Sequence, residues 1–207
     1  PFSSLNERRD NWRQDFYERF FPIVKNAKSA YEAAAILNNN IFEMVGVIYS
    51  TKRPKADQSP YESIDAGLAS CTGLSFMLID ACRSVGIPAR FVGTPMWYNN
   101  SGNHSWVEIW DNGWHFTGAF EPTGDILNEG WFASLAARAV EGHPEYGIYA
   151  ATWKKTGVFF PMDWKPGIEK YYAYDVTTSY QKYLDDNFVP LRIKVVGKNG
   201  MRRKVLV

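Results

Sequence analysis

The residues from Ala69 to Arg90, ASCTGLSFMLIDACRSVGIPAR, constrain this chain more than any other stretch. A few small residues lead into Cys71. From there Leu74, Leu78 and Cys82 recur at helical spacing, with Met77, Ala81 and Val85 beside them. That period predicts a helix with one buried face and Cys71 in its first turn. Gly86 ends the helix and Pro88 bars its resumption. A thiol at a helix start stands among unpaired backbone N–H groups at the positive end of the dipole, which favours the thiolate. On this stretch alone, a small buried cysteine filling a core position explains the pattern equally well.

A core of useful size is available. The chain has 207 residues, of which 45% are hydrophobic and 16% aromatic, enough for one sizeable domain. Charge is balanced, 23 basic against 22 acidic side chains, and the two signs are mixed along the chain. There is no basic stripe for nucleic acid and no apolar run of membrane-spanning length. Cys71 and Cys82 lie roughly 16 Å apart along one helix, too far for a disulfide, so Cys82 reads as structural. With no CxxC and only 3 histidines, neither a metal site nor a cofactor is expected.

Ahead of the cysteine helix, Leu5–Ile23 reads as an amphipathic helix on Trp12, Phe16, Phe20 and Ile23, with Pro22 marking its end. Ser29 and Glu32 form a capping-box pattern for a second helix through Val45. Both helices read as scaffold. Thr51–Ser63 reads as a polar, ordered loop leading to Cys71, and such loops often line sites. Its Gln58 is either a solvated amide or a side-chain donor to a developing oxyanion.

Downstream, Ala89–Trp97 reads as a buried strand, and His104–Trp110 and Trp114–Glu121 as a hairpin about Asn112-Gly113. A two-residue turn there pairs Trp110 with His115, Glu108 with Thr117 and His104 with Glu121. It places Val107, Ile109, Trp114 and Phe116 on a core face. His104, Trp106, Glu108, Thr117 and Glu121 then share a polar face, where a carboxylate could hold one imidazole nitrogen. His115 and His143 read as solvated. Thr123–Arg138 reads as a loop with a short helix, Ile148–Lys154 and Thr156–Pro161 as strands, and Tyr172–Tyr180 as extended. Leu191–Val207 reads as a C-terminal hairpin where a following module could begin, leaving residues 1–190 as the main domain.

Cys71, His104 and Glu121 supply the residue types a cysteine nucleophile needs: a thiol, a base, and an acid that orients the base. The run GLASCTGLSFMLIDACRSVGIPARFVG, followed by NHSWVEIWDNGW and Glu121-Pro122-Thr123, resembles the transglutaminase-like (papain-related) superfamily, in particular its bacterial exported branch. The resemblance spans about Gly67 to Thr123. It implies an α+β fold in which a Cys-led helix packs on an antiparallel sheet, with Cys71 as nucleophile and His104 as base. Many members carry Asp four residues after the second strand's Trp. Here that position is Gly118, and the acid-Pro-Thr element comes three residues later with Glu121, which is preferred to Asp111 or Asp125. Trp106 is expected against the cysteine helix, where it could wall a substrate slot, and Glu108 is a surface charge or a partner of the site. The implied chemistry is acyl transfer on amides through a thioester. Hydrolysis of a protein or peptide substrate, cell-wall peptide included, is the first expectation. Glutamine transamidation and a non-catalytic binding module are the alternatives, and the setting is extracytoplasmic.

Overall fold

The structure is a computed structural model and describes residues 3–184; the expected 191–207 hairpin lies outside the described residues. In chain order the elements are α1 (Arg13–Val24), α2 (Ala30–Val45), β1 (Ile48–Tyr49), α3 (Pro60–Ala66), β2 (Leu68–Ala69), α4 (Cys71–Ser84), β3 (Ala89–Thr94), β4 (His104–Trp110), β5 (Trp114–Thr117), α5 (Ala133–Ala136), β6 (Tyr149–Thr152), β7 (Tyr172–Asp175) and α6 (Thr177–Gln181). Strands β5-β4-β3-β6-β7 make one antiparallel sheet, and β1 and β2 a small parallel pair. The α+β expectation holds.

The cysteine helix is more deeply placed than its sequence period suggests. Every residue of α4 except Cys71 and Arg83 is buried, because α1, α2 and α3 surround it on the sides that β3 and β4 leave open. It starts where expected: Ser70 caps it by accepting from the Gly73 N–H. It stops at Val85, and Gly86 follows with φ of +88°, a left-handed turn that suits glycine. Phe16, Phe20, Leu37, Ile41, Leu74, Phe91, Val107 and Ile109 share the core on this side of the sheet.

The other face of the sheet is buried as well. Val92, Trp106, Phe116, Phe132, Ile148 and Tyr180 form a second, aromatic core under α5 and α6. The polar face expected for β4 is therefore an interior surface. Its charged member, Glu108, is 4% exposed. It accepts from Arg90 Nε at 2.7 Å and from the Tyr180 hydroxyl at 2.6 Å, and Trp106 Nε1 donates to that same hydroxyl at 2.7 Å. Arg90 also lies 3.7 Å from the centroid of the Trp114 ring. A buried carboxylate needs such saturation, and here it locks α6 onto the sheet. Of the two readings open for Glu108, the surface charge does not hold; the residue reaches the His104 ring only through Tyr180 and Trp106.

Several boundaries moved for visible reasons. Residues 5–12 are not helical: Glu7 accepts from the Ser4 and Leu5 N–H groups, and Asp10 from the Tyr61 N–H, so local carboxylates bind backbone groups in place of a helix. Pro22 sits inside α1, which runs two residues past it. Part of the 51–63 loop is α3, closed by a Ser59–Glu62 capping box with Pro60 behind the cap. The 156–161 strand reduces to an isolated bridge, Phe159 to Tyr172. Tyr172–Tyr180 divides at Asp175, whose carboxylate accepts from the Thr177 N–H and hydroxyl and starts α6.

Candidate active site

The hairpin register differs from expectation by one residue. Trp110 pairs with Trp114, Ile109 with His115, and Val107 with Thr117. Asp111, Asn112 and Gly113 together make the turn, with Asn112 at φ +54°. Asp111 does not point back into the hairpin. Its carboxylate accepts from the Tyr31 N–H at 2.9 Å in the first turn of α2, and this anchor holds the longer turn.

A one-residue slip alone would carry Glu121 to the wrong face. A second irregularity returns it. Beyond β5 the chain turns at residues 118–121, with Glu121 N–H donating to the Gly118 carbonyl at 3.1 Å and Phe120 at φ +66°. A bulky residue in the left-handed region costs about 1–2 kcal/mol, and Asn38 of α2 braces it. Asn38 Nδ2 donates to Thr117 Oγ1 and the Gly118 carbonyl, and Asn38 Oδ1 accepts from the Phe120 N–H. Glu121 thus reaches His104, with Oε2 3.4 Å from Nε2, at ion-pair range and long for a hydrogen bond. Asp111 lies at the hairpin tip, at the far end of β4 from His104.

The imidazole also hydrogen-bonds the Cys71 thiol, and the sulfur is further approached by the Ser105 backbone N–H and the Thr72 hydroxyl. Burial pushes the thiol up, but these partners, His104 first among them, outweigh it and hold Cys71 below the ordinary thiol range. Burial likewise favours a neutral His104, yet Cys71 and Glu121 raise it to about 9. Both directions favour a thiolate–imidazolium pair at neutral pH. Cys71 remains partly exposed, so a reactant can approach it, whereas Cys82 is fully buried with its thiol pushed up to about 12.

The remaining sequence candidates are committed to other contacts. Gln58 is 1% exposed rather than solvated, and its amide donates to the Glu62 and Leu68 carbonyls. Both N–H groups are committed to holding α3 beside β2, which leaves none for an oxyanion. Trp106 is fully buried in the aromatic core with its N–H spent on Tyr180, and its ring stacks on that of His104 with centroids 5.9 Å apart. His115 lies between the Asp111 carbonyl and Asn128, edge-on to Tyr31. His143 stacks on Tyr146.

The aromatic wall of the site is Trp131, which the sequence reading missed. Its ring is 58% exposed and its centroid lies 4.9 Å from that of His104, whose buried side is covered by Phe132 at 4.8 Å. No local signal marks it, because a loop of 13 residues separates it from Thr117. Among the described residues no cluster of three or more His, Cys, Asp or Glu could hold a metal, and no helix is long and apolar enough to cross a membrane.

Residues 19–119 match the family model of the transglutaminase-like superfamily, a span that contains Cys71 and His104 and stops two residues short of Glu121. A solved structure from Cytophaga hutchinsonii, of a protein provisionally named a cysteine protease, aligns at 17% identity with a TM-score of 0.45; the alignment covers 53% of this chain and 38% of that one. No curated protein matches the chain. With its Cys-led helix, its His-x-Trp-x-Glu strand and the match over residues 19–119, the chain belongs to the transglutaminase-like superfamily.

Proposed function

We propose that this protein is a cysteine-dependent amide hydrolase acting on protein or peptide substrates. The observation that carries the reading is the coupling of the Cys71 thiol, on a partly exposed residue, to a histidine that also has a carboxylate 3.4 Å from its Nε2. The Cys71 thiolate attacks the amide carbonyl carbon, and the oxyanion that forms faces the N–H groups of the first turn of α4, Cys71's own included. The C–N bond then breaks as the His104 imidazolium gives its proton to the leaving amine, and an acyl thioester remains on Cys71. Water attacks the thioester with His104 taking its proton. The carboxylic acid leaves and the thiolate–imidazolium pair is restored. Glu121 holds the ring in place and stabilises its charged form.

Water is the acceptor in this reading because it is always present, whereas amine transfer needs a second-substrate site. The family resemblance alone suggests an extracytoplasmic setting and a cell-wall peptide among the candidate substrates. The test is mass spectrometry of peptide and cell-wall-peptide libraries incubated with the wild type and with Cys71→Ala, with and without a primary amine. Cleavage products absent from Cys71→Ala are expected. Amine adducts in place of products would make the protein a transamidase, and no change in any library would leave a binding module on the same fold.

A further inference from the structure

Asn38 is the one polar residue among the buried positions of α2, otherwise Ala33, Ala34, Ala35, Leu37, Ile41 and Phe42. A leucine there would continue the apolar face. Burying an amide is unfavourable unless its hydrogen bonds are made, and all of Asn38's are made to one object. Its two N–H bonds go to Thr117 Oγ1 at 2.9 Å and the Gly118 carbonyl at 2.8 Å, and its oxygen takes the Phe120 N–H at 3.0 Å. Three contacts on four consecutive residues fix both the end of β5 and the direction of the peptide ahead of Phe120. Phe120 itself, at φ +66°, packs edge-on to Phe42 one turn along the same helix. Glu121 is the next residue.

We propose that Asn38 is a positioning residue for the Cys71–His104–Glu121 site: by clamping the strained 117–120 turn it sets where Glu121 presents its carboxylate to His104. This role rests on the acyl-transfer reading. Asn38 touches neither the thiol nor the imidazole and acts only through the turn. The ionisable groups that act on His104 are Cys71 from α4 and Glu121 from the turn, so a turn that relaxes changes one of the two and leaves the other.

Three histidines in the whole chain make the test direct. The His104 imidazole is titrated by NMR in full-length wild type, Asn38→Ala, Asn38→Ser (a short hydroxyl that cannot span the turn) and Ile41→Val, with His104→Ala to assign the signal. Ile41→Val loosens the same helix without touching the turn and keeps the wild-type midpoint. The Asn38 variants are expected to lower the midpoint by about one pH unit, the low end of what an opposite charge at this range contributes. They should also slow Cys71 alkylation at neutral pH. An unchanged midpoint in a folded Asn38 variant, or an equal shift in Ile41→Val, overturns the positioning role while leaving the hydrolase reading intact. A wild type whose His104 and Cys71 titrate as ordinary groups overturns the hydrolase reading, and the positioning role with it.

Discussion

Gly118 should be as necessary to the site as a reacting side chain, although it has none. A Cβ built on Gly118 would overlap Glu121 Oε2 and stand 3.0 Å from both the Cβ and Cδ of Glu121. Its backbone is not left-handed, so alanine is tolerated by the main chain, and the obstructing atoms belong to a side chain that can swing away. The fold should survive and the carboxylate should not stay. Opposite charges 3.4 Å apart attract by about 2.5–5 kcal/mol at an effective dielectric of 20–40. The upper dielectric is included because the Glu121 side chain is 31% exposed. Turning the carboxylate out to about 6 Å leaves about 1.4–2.8 kcal/mol, a loss of about 1–2 kcal/mol, or about one pH unit in the His104 midpoint. Gly118→Ala should therefore lower that midpoint from about 9 by about one unit. Any turnover should fall roughly five- to thirtyfold, with the thermal midpoint within about 4 °C of wild type. NMR titration, peptide turnover and calorimetry on one preparation check all three. A folded Gly118→Ala with an unaltered His104 titration would refute the claim that Glu121 supports the imidazolium from this turn.

The remaining expectations concern pH and the two cores. Iodoacetamide should alkylate Cys71 at lower pH than an ordinary thiol, because the thiol is depressed. The profile should change again near pH 9 as His104 loses its proton, and His104→Ala should collapse it to one limb in the ordinary thiol range; a single ordinary limb in the wild type would sink the ion pair. In stability terms, the His104 contribution is complete below the unfolded value of 6.5 and fades as pH rises through about 9, whereas the Cys71 contribution is lost as pH falls through its depressed value. Tyr180→Phe strips a hydroxyl from between Trp106 and Glu108 and should cost about 2–4 kcal/mol, roughly 5–12 °C in the thermal midpoint; a change under about 2 °C would show that the network does not hold α6. Asp80 is wholly buried with neither carboxylate oxygen hydrogen-bonded and only a 4.0 Å approach of Arg83 to Oδ1, and burial, then Glu7, raises it well above the carboxylate range. The folded state then holds a proton the unfolded chain releases, so stability falls as pH climbs from the unfolded value towards the folded one. Asp80→Asn should flatten that slope in urea titrations across pH, and parallel slopes would refute it.

What the sequence made legible was local. Gly86 and Pro88 end α4, Ser29 starts α2, and alternation along 104–110 gave β4, since each signal lies within a turn of what it controls. Glu121 does lie beside His104, but the argument that placed it there fails in detail. The inferred register was off by one because Asn112-Gly113 implies a two-residue turn, and nothing near it reveals that Asp111 is held by Tyr31, 80 positions away in the chain. The turn at 118–121 restored the face, and its strained Phe120 is a residue that turn chemistry would not have chosen. The polar face of β4 was misread for a related reason. Period two shows which residues travel together, and whether they meet water depends on what α5 and α6 bring to that side. Gln58 and Trp106 differ from expectation through burial: the Gln58 donors are already engaged, and Trp106 backs the His104 ring from inside the second core in place of walling an open slot.

Cys71 and His104 come from different layers, the thiol from a helix in one core and the imidazole from a strand whose ring faces the other. Neither element alone makes a reactive sulfur. While the sheet is undocked, during synthesis or after partial unfolding, Cys71 loses the imidazole that acidifies it and becomes a sluggish thiol, no more prone to alkylation or mixed disulfides than any other. Reactivity here requires the helix and the sheet to be docked on each other. A chain built this way does not carry an armed cysteine through its own biogenesis, and loss of the fast-alkylating thiol should precede loss of helix when the protein is gently denatured.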